Sequence, residues 1–334
     1  MAGVQGSALC IAVSRAGALG SMPAAMQTPQ TLQAELQRIR DAGIHAYNVN
    51  FFVHPKPVAD AVAQSRWRGA LAPFYDEFGI DPASVSDGPL RQPMDEAMVD
   101  VLEQFKPPVV SFHFGLPSPA LLDRIRHWKP TLMSSATTIE EGLYLQANGI
   151  DVVIAQGLEA GGHRGLFLSS DLSTQMGTLS LTRQLVKSLT IPVVAAGGIA
   201  DADCTRAALA IGAAGVQVGT SFLLADEADT SPVHRAALQS PQRTHTALTT
   251  VFTGRPARGI VNRFMRDMGY LHPDAPPFPA ATPAMTPLRT RAESQGSGDF
   301  SPLWASQNTS ACRAQPAAQI VAELAEAFST PTTD

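Results

Sequence analysis

Short, nearly continuous apolar runs alternate along this chain with longer segments whose apolar positions recur at helical spacing. Residues 17–21, 46–53, 108–114, 131–136, 151–156, 192–196 and 215–220 read as strands. Residues 30–42, 118–128, 138–148, 176–189 and 201–211 read as helices. Strands that are apolar on both faces, such as Asp151-Val152-Val153-Ile154, belong in a parallel sheet covered by helices. The alternation therefore predicts an α/β fold of the TIM (β/α)8 barrel type. Seven strands are predicted, one fewer than such a barrel holds. Met1-Ala2-Gly3-Val4 runs directly into a helix-like segment at 6–16. The first barrel strand is therefore expected to be missing from this chain.

The pattern changes after Leu224. Helical spacing returns near 232–238 and 316–327, residues 272–289 are rich in proline, and 293–301 read as a polar loop. The expected organisation is a barrel over 1–224, a smaller accessory or lid region over its mouth at 225–315, and a helix at 316–334 returning to the barrel. Residues 67–91 read as a long excursion between two barrel strands.

Composition narrows the function. The net charge of −5 comes with no basic run, which excludes a nucleic-acid partner. No apolar stretch approaches the roughly 20 residues that span a bilayer. Cys10, Cys204 and Cys312 are far apart and match no metal-ligand spacing. Their odd number suits reduced thiols, and the N-terminus lacks the shape of a signal peptide, so a cytoplasmic location is expected.

The unusual residues gather at predicted strand ends, where barrels of this type bind ligands. Gln156 ends a strand and opens Gly157-Leu158-Glu159-Ala160-Gly161-Gly162-His163-Arg164-Gly165, with four glycines and one imidazole in nine residues. Glycine lets backbone approach a ligand closely, and histidine exchanges a proton near neutral pH. Among glycines His163 is expected to have few neighbours burying it, and Arg164 to disfavour its imidazolium, leaving the ring available as a base. Gly197-Gly198 and Gly219-Thr220 follow two successive strands and form a candidate phosphate cradle. No GxGxxG or Walker pattern accompanies them. Asn50 is either a satisfied polar residue or the holder of a heterocycle, and His113 reads as a satisfied core histidine. Arg255, Arg258, Arg263 and Arg266 read as a solvated, salt-bridged face, or else as an anion clamp or interdomain latch.

Together these segments resemble the nitronate monooxygenases, formerly 2-nitropropane dioxygenases, of the class I bacterial type. The resemblance runs through Asn48-Val49-Asn50, Phe74-Tyr75-Asp76-Glu77-Phe78-Gly79, Val110-Ser111-Phe112-His113-Phe114-Gly115 and Ala136-Thr137-Thr138. It continues through residues 155–165, 195–199, 216–220, 243–249 and 254–263. It implies a barrel with a smaller domain, binding FMN through Asn50, Gln156, Gly161, Gly198, Gln217, Val218, Gly219 and Thr220. His163 matches the family's active-site histidine. The implied reaction oxidises alkyl nitronates, such as propionate-3-nitronate, with O2 to a carbonyl compound and nitrite. His163 would orient the anionic nitro group or take the α-proton of a neutral nitroalkane. FMN-dependent NAD(P)H-using reductases of the quinone or enoyl-ACP type share the glycine–histidine loop. Phe112-His113-Phe114 and residues 254–263 favour the nitronate branch. Two departures stand out. Met1-Ala2-Gly3-Val4 aligns with the turn after the family's first strand, so an upstream start or an inactive truncated paralogue is the expectation there. Ser306 stands before Gln307 where the family usually has glycine. A monomer or homodimer is expected.

Overall fold

The computed structural model describes residues 3–86, 88 and 90–329. The first two residues of Met1-Ala2-Gly3-Val4, two positions of the 67–91 excursion and the last five of 316–334 lie outside the described residues.

The apolar runs pair as a curled parallel sheet. Its strands are β1 (Gly20–Pro23), β2 (Tyr47–Phe52), β3 (Val109–His113), β4 (Thr131–Ala136) and β5 (Val152–Gln156), followed by β7 (Val193–Ala196) and β8 (Gly215–Gln217), in the order β1-β2-β3-β4-β5-β7-β8. The remaining strands, β6 (Gly162–His163), β9 (Thr246–Thr249) and β10 (Ala257–Ile260), form a small antiparallel sheet in the order β6-β10-β9. Register sets the large sheet's rim: Asn50 lies opposite both Pro23 and Ser111, and Ala196 lies opposite both Gln156 and Gln217. The sheet ends at β1 and β8, which do not pair with each other.

Helices α1 (Ser7–Arg15), α2 (Pro29–Asp41), α3 (Ala61–Phe78), α4 (Glu96–Phe105), α5 (Pro119–Arg126), α6 (Ile139–Ala147), α7 (Thr178–Ser188) and α8 (Ala202–Ala210) fall before and between the strands. Local chemistry starts them. Thr28 and Thr31 form a reciprocal capping box with Pro29 in the first turn of α2. Thr138 and Asp201 cap α6 and α8 by accepting the N–H of Glu141 and Cys204. Helix α2 then buries Leu32, Leu36 and Ile39, each contributing roughly 1.5–3 kcal/mol. They join Val49, Val110, Leu132, Val153 and Val193 of the sheet in one core. Gly20 lets α1 lie directly on β1, since a Cβ there would come within 2.1 Å of the Cys10 carbonyl oxygen.

Four later helices follow: α9 (Pro232–Gln239), α10 (Arg263–Met268), α11 (Thr282–Ser294) and α12 (Ala317–Ala325). Leu9 of α1 packs with Phe222, Ile320 and Val321, so α1 and α12 meet beside the sheet's ends.

The seven expected strands are present with shifted ends. The first begins later, at Gly20, and the last stops at Gln217 before a one-turn 3-10 helix. Three segments differ from the sequence reading. The first part of the 67–91 excursion, up to Phe78, is the C-terminal part of α3, which buries Trp67, Leu71, Phe74 and Tyr75 against Phe252, Phe264, Leu288 and Phe300. The amphipathic run 96–105 forms α4. The proline-rich stretch contains α11, which tolerates Pro283 because the first helical turn needs no N–H there. Pro287 lies inside α11 and sacrifices one helical bond. Tertiary contacts compensate: Trp67 and Tyr75 donate to the carbonyls of Ala281 and Ala284 at 3.3 and 2.7 Å. No helix of the described residues is long and apolar enough to cross a membrane.

Candidate active site

Gln156 closes β5 and holds the loop that follows it. Its Nε2 donates to the His163 carbonyl at 2.9 Å, and its Oε1 accepts from the Gly165 N–H at 2.7 Å. His113, at the end of β3, points Nε2 at the same carbonyl at 3.1 Å and Nδ1 at the Ser135 hydroxyl at 2.6 Å. A carbonyl only accepts, so Nε2 of His113 carries the proton and Nδ1 accepts from Ser135. Burial, reinforced by Arg255, pushes the His113 pKa down to about 3. It is a satisfied structural histidine, as its sequence context suggests.

Arg164 fixes the other side of the loop. Its side chain is wholly buried. It donates to the carbonyls of Gly157 and Gln156 at 2.6 and 2.8 Å, and to the Gln175 amide oxygen at 2.9 and 3.1 Å. The arginine cluster divides. Arg255 donates to the carbonyls of Arg164 and Leu166, with its guanidinium 3.9 Å from the Phe114 ring centre. Arg258 donates to the Leu158 carbonyl at 3.0 Å. These two latch the later region to the loop. Arg263 instead pairs with Glu77 through two 2.7 Å bonds and with Asp267.

The latch corrects the expectation for His163. It is not lightly covered at a loop tip: it lies in β6, paired with Ala257 of β10, and is 8% exposed. Phe52, Phe114, Phe278 and Trp304 surround it, with ring centres at 6.0, 6.0, 5.2 and 5.5 Å. Its Nε2 lies 2.9 Å from the Thr253 hydroxyl. Desolvation holds its pKa well below the ordinary histidine value, with Arg91, His113, Arg255 and His54 adding to the effect. The repelling arginines are thus Arg91 and Arg255, while the Arg164 guanidinium is spent on the loop backbone and Gln175. The sequence reading missed Phe52, Thr253, Phe278, Arg91 and His54 as parts of this pocket. Only Phe52, in the quoted strand, and Thr253, beside Gly254-Arg255, carried a local signal.

The glycine turns lie at the same rim. Gly197 and Gly198 adopt φ values of +121° and +70°, which side chains rarely take. The Gly198 carbonyl accepts from Asn308 at 3.0 Å, and the Thr220 hydroxyl accepts from the Ser306 N–H at 3.0 Å. Gly161 abuts this segment: a Cβ there would lie 2.6 Å from Ala305 C and Ser306 N. Gly161, Gly198 and Thr220 are therefore joined through residues 305–308. Val218 is half-buried, and Gln217 is exposed at the end of β8. Asn50 accepts from Ser111 at 2.8 Å, and its Nδ2 donates to no described residue. The N–H groups of Gly198 and Gly219 likewise donate to no described residue. Unused backbone donors at glycine turns suit a phosphate, and an unused amide N–H suits a heterocycle oxygen or nitrogen, so the residues present fit a flavin nucleotide.

A curled β/α sheet with a desolvated histidine and glycine-turn donors at its rim defines a flavin-dependent oxidoreductase of TIM-like fold. The chain belongs to the nitronate monooxygenase family, whose profile matches residues 1–327. A nitronate monooxygenase of Pseudomonas aeruginosa is 38% identical, covering 98% of this chain and 93% of that protein. One of Paraburkholderia phytofirmans is 36% identical over 97% of this chain and 89% of that protein. The solved structure of nitroalkane oxidase from Streptomyces ansochromogenes superposes with a TM-score of 0.88 at 38% identity, covering 98% of this chain and 95% of that one. FabK from Thermotoga maritima, at 24% identity and a TM-score of 0.67 over 98% and 90% of the two chains, shares the fold.

Proposed function

We propose that this chain oxidises alkyl nitronates, propionate-3-nitronate among them, with O2 to a carbonyl compound and nitrite, using FMN. The observation that carries the reading is His163: an imidazole kept neutral inside a ring of aromatic side chains, with one nitrogen on Thr253. Asn50, Gln156, Gly161, Gly198, Gln217, Val218, Gly219 and Thr220 hold the FMN in this account. Bound FMN supplies the acceptor that takes electrons from the nitronate and delivers them to O2.

The protein's own residues supply binding and proton control. A threonine hydroxyl donates in one rotamer and accepts in another. Thr253 therefore supports both states of His163, leaving Nδ1 either as an N–H for an anionic nitro group or as a lone pair for an α-proton. The depressed pKa makes the ring a weak base, which favours substrates already ionised at carbon. Phe52, Phe114, Phe278 and Trp304 exclude water and strengthen each remaining polar contact.

The test is chemical. The cofactor released from protein as purified is identified by mass, and the FMN-loaded protein is then supplied with propionate-3-nitronate in air while nitrite and oxygen uptake are followed. Nitrite formed in step with nitronate loss, with FMN retained, supports the reading. Bound FAD, or nitronate left unconsumed, contradicts it.

A further inference from the structure

Arg91 and His54 converge on one side of the His163 pocket. The Arg91 guanidinium carbon lies 5.8 Å from the Phe52 ring centre and 5.7 Å from that of Phe278. His54 meets the Phe278 ring edge-on at 4.9 Å and is 3% exposed. The same two phenyl rings touch His163, at 6.0 and 5.2 Å. Phe52 and Phe278 thus form a wall shared by the imidazole and the guanidinium.

Both groups lack a polar match. Among the described residues Arg91 makes no hydrogen bond and no ion pair. Arg91 is half-buried, and that burial lowers its pKa with no carboxylate among the described residues to offset it. His54 spends Nδ1 on the Pro55 carbonyl at 2.8 Å, while its buried Nε2 has no partner. The neighbouring arginines are committed: Arg255 to two carbonyls, Arg164 to three acceptors, Arg258 to Leu158. A half-buried guanidinium with no counter-ion among the described residues gains from an anion that completes it.

Resting on the nitronate reading above, we propose that Arg91 is a specificity-determining residue that receives a second anionic group, a carboxylate at the far end of the nitronate's carbon chain. Phe52 and Phe278 flank the short carbon chain between the two charged ends. His54 Nε2 accepts a hydrogen bond from a water shared with that carboxylate.

Two substitutions, Arg91→Met and Arg91→Gln, test this in the FMN-loaded protein. The quantity read is the kcat/KM ratio of propionate-3-nitronate to propyl-1-nitronate, which carries a methyl group in place of the carboxylate. It should fall about 10- to 100-fold in both variants, mainly through KM, the effect of removing one charged hydrogen-bond partner. Anaerobic calorimetry with 3-nitropropanoate reads the same subsite without turnover, and its affinity should fall in parallel. A ratio within about threefold of wild type, or undiminished 3-nitropropanoate affinity in both variants, overturns the proposal. Loss of 3-nitropropanoate binding in both variants, with neither nitronate oxidised by the unsubstituted protein, upholds the anion subsite and removes the nitronate reading instead.

Discussion

Arg164→Met is the perturbation whose effect the structure sets most closely. The wild-type side chain is 0% exposed and serves three acceptors: the Gln156 carbonyl, the Gly157 carbonyl and the Gln175 amide oxygen. Methionine fills much of the same volume but donates nothing. The Gly157 carbonyl keeps the Ala160 N–H at 3.1 Å and loses least. The other two each lose a charged donor, at about 1–3 kcal/mol per stranded buried acceptor. Methionine recovers part of this, because no guanidinium need then be desolvated. The net expectation is about 2–4 kcal/mol off the unfolding free energy. Urea titration followed by tryptophan fluorescence reads it, with an unchanged slope showing that the unfolding transition is the same. Because the lost bonds lie on the loop carrying His163, nitronate turnover should fall in parallel. A loss under about 1 kcal/mol, with full turnover, would refute the claim that Arg164 holds this loop.

Three other predictions follow from the same geometry. The pKa values of His113 and His234 are held at about 3 and about 4 by burial, so the unfolded chain binds more protons below pH 6.5. Stability should be complete above that pH and fall by about 2 kcal/mol per histidine on going to pH 5; a pH-independent Tm over this range contradicts it. His163→Asn should retain FMN yet slow neutral nitroalkane turnover roughly 100-fold more than nitronate turnover, and equal losses would remove the base role. Gly161→Ala places a Cβ 2.6 Å from Ala305 and Ser306 backbone, so it should cost about 1–3 kcal/mol and weaken FMN retention, measured by denaturation and flavin content.

The parallel sheet was legible because its strands are buried on both faces and read as continuous apolar runs. The small antiparallel sheet was not. Its strand β6 is two residues long and exists through pairing with β10, nearly a hundred positions away. That single pairing converts His163 from an apparent loop residue into a buried one. Helix α11 was hidden by prolines whose local preference is overridden by packing against α3. At the site, residues with a local motif, Gln156, His163, Gly198 and Thr220, could be singled out from sequence. Phe278 could not, since it lies in irregular chain and reaches His163 only through the folded structure. Arg91 was silent for a further reason: its lack of an ion pair among the described residues is a property of three-dimensional surroundings, invisible in a chain with acids close by in sequence.

Anaerobic rapid mixing of the FMN-loaded protein with propionate-3-nitronate and, separately, with NADH separates nitronate oxidation from nicotinamide-dependent reduction. The nitronate should bleach the flavin absorbance until oxygen is admitted and turnover resumes, whereas NADH should leave it intact. Bleaching by NADH, with none from the nitronate, would contradict the nitronate reading and assign the pocket to a nicotinamide-dependent reductase.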